Sequence, residues 1–425
     1  MSSRNIRLLC SLLILALLLT GCSFPRDSEK GLSNGEIDPI VVAAQNRFGL
    51  DLYLTLFAHS AKSDPGVFIS PSSIALALAM TYNGASGETK EAMGEVLGVG
   101  SLTLDAVNSS YQALLRHVAE NMPVDNGMQL HIANGLFQKE GVGFRRDFLQ
   151  RNERYYGATL RSLDFGDPRS VGVINNWVSE QTNGRIPDLL DEISADQVLF
   201  LINAIYFKGD WKQPFDKHLT RPMPFSLPNG EQKVVAMMYQ DGSYDHYQGP
   251  GFEAVRLPYG QKDSEKEQLA MYIFLPDRNS SLEAFHAELT YENWQQWMTG
   301  FVRKRGRIAL PRFQLAYKAQ LGKALTQLGM GIAFDPHRAD FSGMRAVSAS
   351  ANLFIGDVIH QSFLLVNEEG TEAAAATSVG MRVTSAPVYH FEFIVDRPFL
   401  LAICEEQTGA ILFAGSVLNP DEADD

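Results

Sequence analysis

Cysteine is scarce in this 425-residue chain, which has only Cys10, Cys22 and Cys404. Two of the three fall in the first 22 residues, so no disulfide framework is available and packing alone has to hold the fold. Cys404, inside an apolar run, reads as a small buried hydrophobe. Long basic stretches are also missing. The formal charge is -13 and the isoelectric point about 5.2, and nothing gathers lysine and arginine into a stripe, which argues against a nucleic-acid partner. The short cluster Arg303-Lys304-Arg305 has no interleaved aromatic residues and is expected to form a solvated turn ahead of a strand at 307–310. Repeats and low-complexity segments are absent.

The motifs of common hydrolases and cofactor sites are missing as well. There is no Gly-x-Ser-x-Gly elbow, no His-Glu-x-x-His zinc pair, no phosphate-cradling Gly-x-x-x-x-Gly-Lys and no paired Cys-x-x-Cys. Gly98-Val99-Gly100 and Gly329-Met330-Gly331 lack the third glycine of a dinucleotide site and read as helix ends. His360 lies among Val358, Ile359 and Phe363 and reads as a core histidine with satisfied hydrogen bonds rather than a catalytic base. No catalytic residue, cofactor or metal is expected.

What is present begins with an export signal. Arg4 and Arg7 precede an apolar run over residues 8–19 that is too short for a membrane-spanning helix. The run ends in Leu19-Thr20-Gly21-Cys22, which resembles a bacterial lipobox. That resemblance implies a signal peptide over 1–21, acylation of Cys22, and a lipid anchor in the bacterial cell envelope. Ser23 in place of an aspartate resembles lipoproteins sent to the outer membrane. Residues 22–39 are polar and without periodicity, as in a flexible tether.

A large domain is expected over 40–420, with 421–425 as an acidic tail. Helical spacing covers 40–59; Val67-Phe68-Ile69 reads as a short buried strand. Ser70-Pro71 supplies an N-cap serine and a first-position proline, and 74–82 is apolar almost all round, as in a helix buried mid-domain. Further helices are expected over 104–121, 144–156, 171–182, 282–298 and 319–328. Strands are expected over 128–138, 159–165, 197–208, 234–239, 254–257, 269–275, 308–313, 353–366, 390–396, 399–404 and 411–417. Helices and strands without regular alternation indicate an α+β domain.

One stretch contradicts its surroundings. Glu368-Glu369-Gly370-Thr371-Glu372-Ala373-Ala374-Ala375-Ala376-Thr377 is rich in helix-forming alanine but follows a strand-like run. By local composition it could be a helix or a solvated loop. Thr371, Ala373, Ala375 and Thr377 are small at every second position, so one face could enter a crowded sheet.

This stretch resembles the hinge and reactive-centre loop of the serpins. Phe393-Ile394-Val395-Asp396-Arg397-Pro398-Phe399-Leu400-Leu401-Ala402-Ile403 resembles that family's C-terminal signature, and 203–211, Phe334-Asp335-Pro336 and 339–344 match its core motifs. The resemblance implies three β-sheets, about nine helices and an exposed loop. It implies that Ser70, Ser73, Asn203 and His360 form a polar cluster beneath the place where the main sheet parts, with Trp211 at the top of the opening. The implied function is irreversible inhibition of serine proteases. The protease cleaves the loop, forms an acyl-enzyme, and is trapped when the hinge inserts as a new strand. A monomer is expected, partnered by the protease and by the membrane through Cys22.

Counting about seventeen residues from Glu368 puts the reactive bond between Thr384 and Ser385, which suits an elastase-like or subtilisin-like enzyme. The alternative is Arg382 and Val383, which suits a trypsin-like one. Two other functions stay open: a non-inhibitory serpin that binds or carries, and an exported lipoprotein hydrolase.

Overall fold

The computed structural model describes residues 36–60, 66–121, 128–194, 197–263, 267–345, 352–371 and 388–421. Among them are nine α-helices and fifteen strands. Helix α1 (Pro39–His59) starts at Asp38, whose carboxylate accepts the Ile40 N–H at 2.8 Å and whose own N–H donates to Ser110 Oγ at 2.9 Å. Asp38 and Pro39, assigned above to the tether, thus belong to the start of this helix. Strand β1 (Phe68–Ile69) leads into α2 (Pro71–Tyr82), with Ser70 accepting the Ser73 N–H and Pro71 opening the first turn. All twelve α2 residues are buried, as their near-continuous apolar sequence requires.

Helices α3 (Gly87–Val96), α4 (Leu104–Asn121), α5 (Arg146–Tyr156) and α6 (Arg169–Gln181) follow, separated by β2 (Met128–Lys139) after α4 and β3 (Thr159–Leu163) after α5. The long strand β4 (Leu199–Asp210) precedes β5 (Arg221–Ser226), β6 (Gln232–Gly249), β7 (Phe252–Pro258) and β8 (Leu269–Pro276). The helices expected over 282–298 are α7 (Leu282–Glu288) and α8 (Tyr291–Met298). Leu289 ends the first, and Thr290 caps the second by accepting the Asn293 N–H.

Two expectations near residue 310 are overturned. Arg303, Lys304 and Arg305 do not form a turn: they lie in β9 (Val302–Pro311), opposite Asp245, Tyr244 and Ser243 of β6. Cross-strand pairing satisfies their backbone while the charges stay at the surface, a combination that local composition does not reveal. Nor does a helix begin at 319. Strand β10 (Phe313–Gln320) runs to Gln320, and the helical stretch starts after it, as α9 (Gly322–Leu325), a distorted turn over Thr326–Met330 and a 3-10 turn over Gly331–Phe334. Gly329, at φ 116°, ends the distorted turn, and Gly98, at φ 68°, follows α3, so both glycine pairs mark helix ends as expected.

The chain finishes with β11 (Val358–Val366), β12 (Gly370–Thr371), β13 (Phe391–Ile394), β14 (Phe399–Glu405) and β15 (Ile411–Val417). The six-stranded sheet has the order β10-β11-β12-β4-β2-β3. The other nine strands form a continuous ladder, β1-β15-β14-β8-β7-β6-β9-β13, with β5 on β6. The two smaller sheets implied by the resemblance are joined in it because β6 is 18 residues long and pairs with β5, β7 and β9 along different parts of its length. Helix α2 packs against β4 of the six-stranded sheet and β15 of the other. Cys404, as expected, is buried and free.

Candidate functional site

The six-stranded sheet is not uniformly closed. β11 and β4 pair directly and in parallel from Val358 with Leu201 to Ser362 with Ile205. Beyond that register they part, and β12 lies between them: Thr371 pairs with Val366 on one side and Gly209 on the other, and Gly370 pairs with Asp210. The first two hinge residues with a strand-like role are therefore already strand.

A turn capped by Asn367 delivers them there. Its side-chain oxygen accepts the N–H groups of Glu369 (3.0 Å) and Gly370 (3.2 Å), and its own N–H donates to the Gly370 carbonyl at 2.9 Å. Gly370 has no room for a side chain, since a Cβ would stand 2.1 Å from the Gly209 carbonyl oxygen. Thr371 is fully buried, and its hydroxyl shares a 2.8 Å hydrogen bond with that of Tyr259.

Trp211 fastens the turn from beside β4. Its indole N–H donates to the Asn367 carbonyl (2.9 Å) and its backbone N–H to that of Glu369 (2.8 Å), while the Phe215 N–H donates to that of Glu368 (2.7 Å). The indole stacks on Tyr259 at 4.6 Å and 12°, so Trp211 and Thr371 share one aromatic support.

Glu368 and Glu369 are buried, only 3% and 5% exposed, and not at the exposed start of a loop. A carboxylate so enclosed has to be paired. Glu368 accepts the Thr220 hydroxyl at 2.6 Å and lies 3.5 Å from Arg312 Nε; Glu369 meets Lys217 Nζ at 2.8 Å. The hydrogen bond to Glu369 raises the pKa of Lys217.

In the closed part of the sheet His360 pairs in register with Asn203, which in turn pairs with Asn134 of β2. The imidazole is buried; its Nε2 accepts the Ser70 N–H at 3.2 Å, which places the proton on Nδ1, and Nδ1 has no hydrogen-bond partner among the described residues, so the expected satisfaction of this histidine is met at one nitrogen only. Burial lowers its pKa to about 3. Ser70 Oγ donates to the Leu412 carbonyl at 2.7 Å and accepts from the Ser73 N–H at 3.2 Å. Ser362, two residues on from His360, donates to the Phe68 carbonyl at 2.5 Å.

Of the residues singled out in the sequence, Ser70, Ser73 and His360 come together beneath the parting, with the backbone of Asn203 in the same register; the Asn203 side chain lies outside the described residues. Trp211, Glu368, Glu369, Gly370 and Thr371 meet at its open end. Glu372, Ala373, Ala374, Ala375, Ala376 and Thr377, both candidate reactive bonds (Thr384 with Ser385, Arg382 with Val383) and Cys22 lie outside the described residues. Where the description resumes, Tyr389 donates to Asp241, and Arg307 both pairs with Asp241 at 2.7 Å and covers the Tyr389 ring at 4.8 Å. Sequence reasoning missed Tyr259, Thr220, Lys217 and Arg312. Each lies far along the chain from the hinge, in a local pattern that carries no sign of the contact.

Comparison with known proteins agrees with this geometry. The family model described as "Serpin (serine protease inhibitor)" matches residues 43–420. Serpin B6 of Macaca fascicularis is 36% identical over 392 residues, 90% of this chain and 100% of that protein. Leukocyte elastase inhibitor of Homo sapiens is 35% identical over 394 residues, 89% and 99%. The crystal structure of a thermophilic serpin, tengpin, in the native state matches with a TM-score of 0.81 and 30% identity, covering 91% of this chain and 96% of that one. Human thyroxine-binding globulin complexed with thyroxine has a TM-score of 0.79 and 26% identity, covering 90% and 99%. The chain belongs to the serpins, a family of protease inhibitors rather than enzymes.

Proposed function

We propose that this protein is an irreversible suicide inhibitor of serine proteases. The protease serine attacks the carbonyl carbon of the reactive bond, an ester forms to the inhibitor, the peptide bond breaks, and the amine of the downstream residue leaves with the proton. The freed segment then continues β12 between β4 and β11, exchanging solvated backbone for ladder hydrogen bonds. Hydrolysis of the ester competes with this insertion, so the inhibitor succeeds only if insertion is faster. The observation that carries the reading is the placement of Gly370 and Thr371 between strands that are paired below them: a path for insertion is begun, and the small residues Ala373, Ala375 and Thr377 are spaced to follow it.

We assign the reactive bond to Thr384 and Ser385, with an elastase-like or subtilisin-like target. We further propose that Cys22 is acylated and anchors the protein to the bacterial envelope. The similarity to a thyroxine carrier favours a non-inhibitory reading in one respect, that the same fold can hold a small molecule. The small inward hinge residues argue against it, since a carrier has no need of them. Incubation with elastase and with trypsin decides: an SDS-resistant complex, with a released fragment that begins at Ser385, is expected with elastase. A stable trypsin complex and a fragment beginning at Val383 would move the bond to Arg382, and cleavage without a complex would leave the non-inhibitory reading.

A further inference from the structure

Trp211 stacks on Tyr259 and, through the indole N–H, holds Asn367; it also lines a cavity of about 110 Å³ that opens to the surface. Its apolar wall is Trp211, Phe215, Tyr244 and Leu257. An apolar cavity of roughly 150 Å³ suffices for a benzene molecule; the space here is smaller but open, so it takes one edge of a single ring, with the rest of the ring and its substituent in the mouth.

The polar lining decides which substituent. Arg256 is enclosed and fully engaged, with Glu406 at 2.5 Å, Glu267 at 2.6 Å and Asp245 at 3.0 Å. Lys212 is held by Glu267 at 2.9 Å. These groups close the inner wall and offer little to a ligand. Arg303 differs: its side chain is 54% exposed, and its ion pair with Asp245 is long, 3.4 Å through Nη1 alone. The rest of its guanidinium fork is open at the rim, beside the exposed Ser243 hydroxyl. An open arginine fork at the mouth of an apolar slot matches a planar carboxylate bidentately.

We infer that this cavity binds a small aromatic carboxylate, with its ring against Trp211 and its acid group on Arg303. A ring in that place supports Trp211 in the position that holds Asn367 and Glu369. Bound ligand therefore favours the present arrangement over further insertion. This second consequence, unlike the binding itself, rests on the inhibitory reading given above. A saturating ligand should then slow trapping and raise the number of inhibitor molecules consumed per protease.

Benzoate is the probe, with benzamide as its neutral counterpart, titrated into the full-length protein by calorimetry and tryptophan fluorescence. Saturable benzoate binding with a change in fluorescence is expected, and at least tenfold weaker binding of benzamide. Arg303→Ala should weaken benzoate at least tenfold. Ser243→Phe, at an exposed position, should fill the slot and abolish binding; the thermal midpoint should be unchanged for both variants, and trapping in the absence of ligand should be unchanged for Arg303→Ala. Absence of benzoate binding, equal binding of benzamide, or wild-type binding by both variants would overturn the site. Because binding is read without a protease, a protein that binds benzoate but traps no protease would refute the inhibitory reading and leave the cavity assignment standing.

Discussion

His360 shows how a single residue in the closed part of the sheet is held. Its ring is enclosed between β4, β10 and the start of α2, and it works there only as a neutral group, accepting from the Ser70 N–H. With its pKa lowered from the ordinary 6.5 to about 3 by burial, the unfolded chain binds more protons than the folded one between those two values. Stability should therefore fall as pH drops from about 6.5 towards 3 and be unaffected by this group above that range. One such group gives a slope of up to about 1.4 kcal/mol per pH unit. His286, lowered to about 4 by burial, adds to the slope over a similar window. Urea denaturation at a series of pH values should show His360→Gln to be less stable than the parent at pH 7 but shallower in its acid dependence. A slope equal to the parent's would mean that His360 is not the buried neutral group described.

At the scale of one element, β12 is two residues long and made by exclusion: only glycine fits at 370, and only a small side chain that can meet Tyr259 fits at 371. Gly370→Ala would drive a Cβ into the Gly209 carbonyl, so the hinge should be displaced from between β4 and β11, with a loss of about 1–3 kcal/mol. Thr371→Arg places a charge in a fully enclosed site and should turn an inhibitor into a substrate. Stoichiometry titrations against elastase should show several inhibitor molecules consumed per protease for either variant. An unchanged stoichiometry for Thr371→Arg would exclude insertion along this path.

On the scale of the whole molecule, β4 and β11 are joined directly over five residue pairs, Val358 to Ser362, and a strand continuing from Thr371 would exchange that single ladder for one on each of its sides. Cleavage of the loop should therefore raise the thermal midpoint, because the released segment can add the second ladder. Melting curves before and after limited proteolysis test this, and an equal or lower midpoint after cleavage would contradict it. A second whole-molecule outcome concerns the N-terminal segment: Cys22→Ala should move the protein from washed membranes to the soluble fraction, since the acyl chains are the only proposed anchor. Retention of the variant in membranes would refute lipidation as the attachment.

Sequence alone determined the features that depend on local chemistry. The serine cap and proline of α2, its burial on all sides, the buried Cys404 and the limits of α4 and β15 all follow from propensity, capping and apolar runs, which act over a few residues. The family motifs added the location of the hinge and of Ser70, Ser73, His360 and Trp211. Tertiary structure alone decided the rest. That Arg303, Lys304 and Arg305 are strand depends on the partner ladder of β6, and β10 is strand because β11 lies against it over eight residue pairs. Glu368 and Glu369 are buried because Lys217, Thr220 and Arg312 come from other parts of the chain to neutralise them. Thr371 is where it is because Tyr259, 112 residues away in sequence, offers a hydroxyl on the far side of Trp211. Such pairings are long-range: loop closure brings the groups together only once the core has formed, so no window of sequence contains both partners.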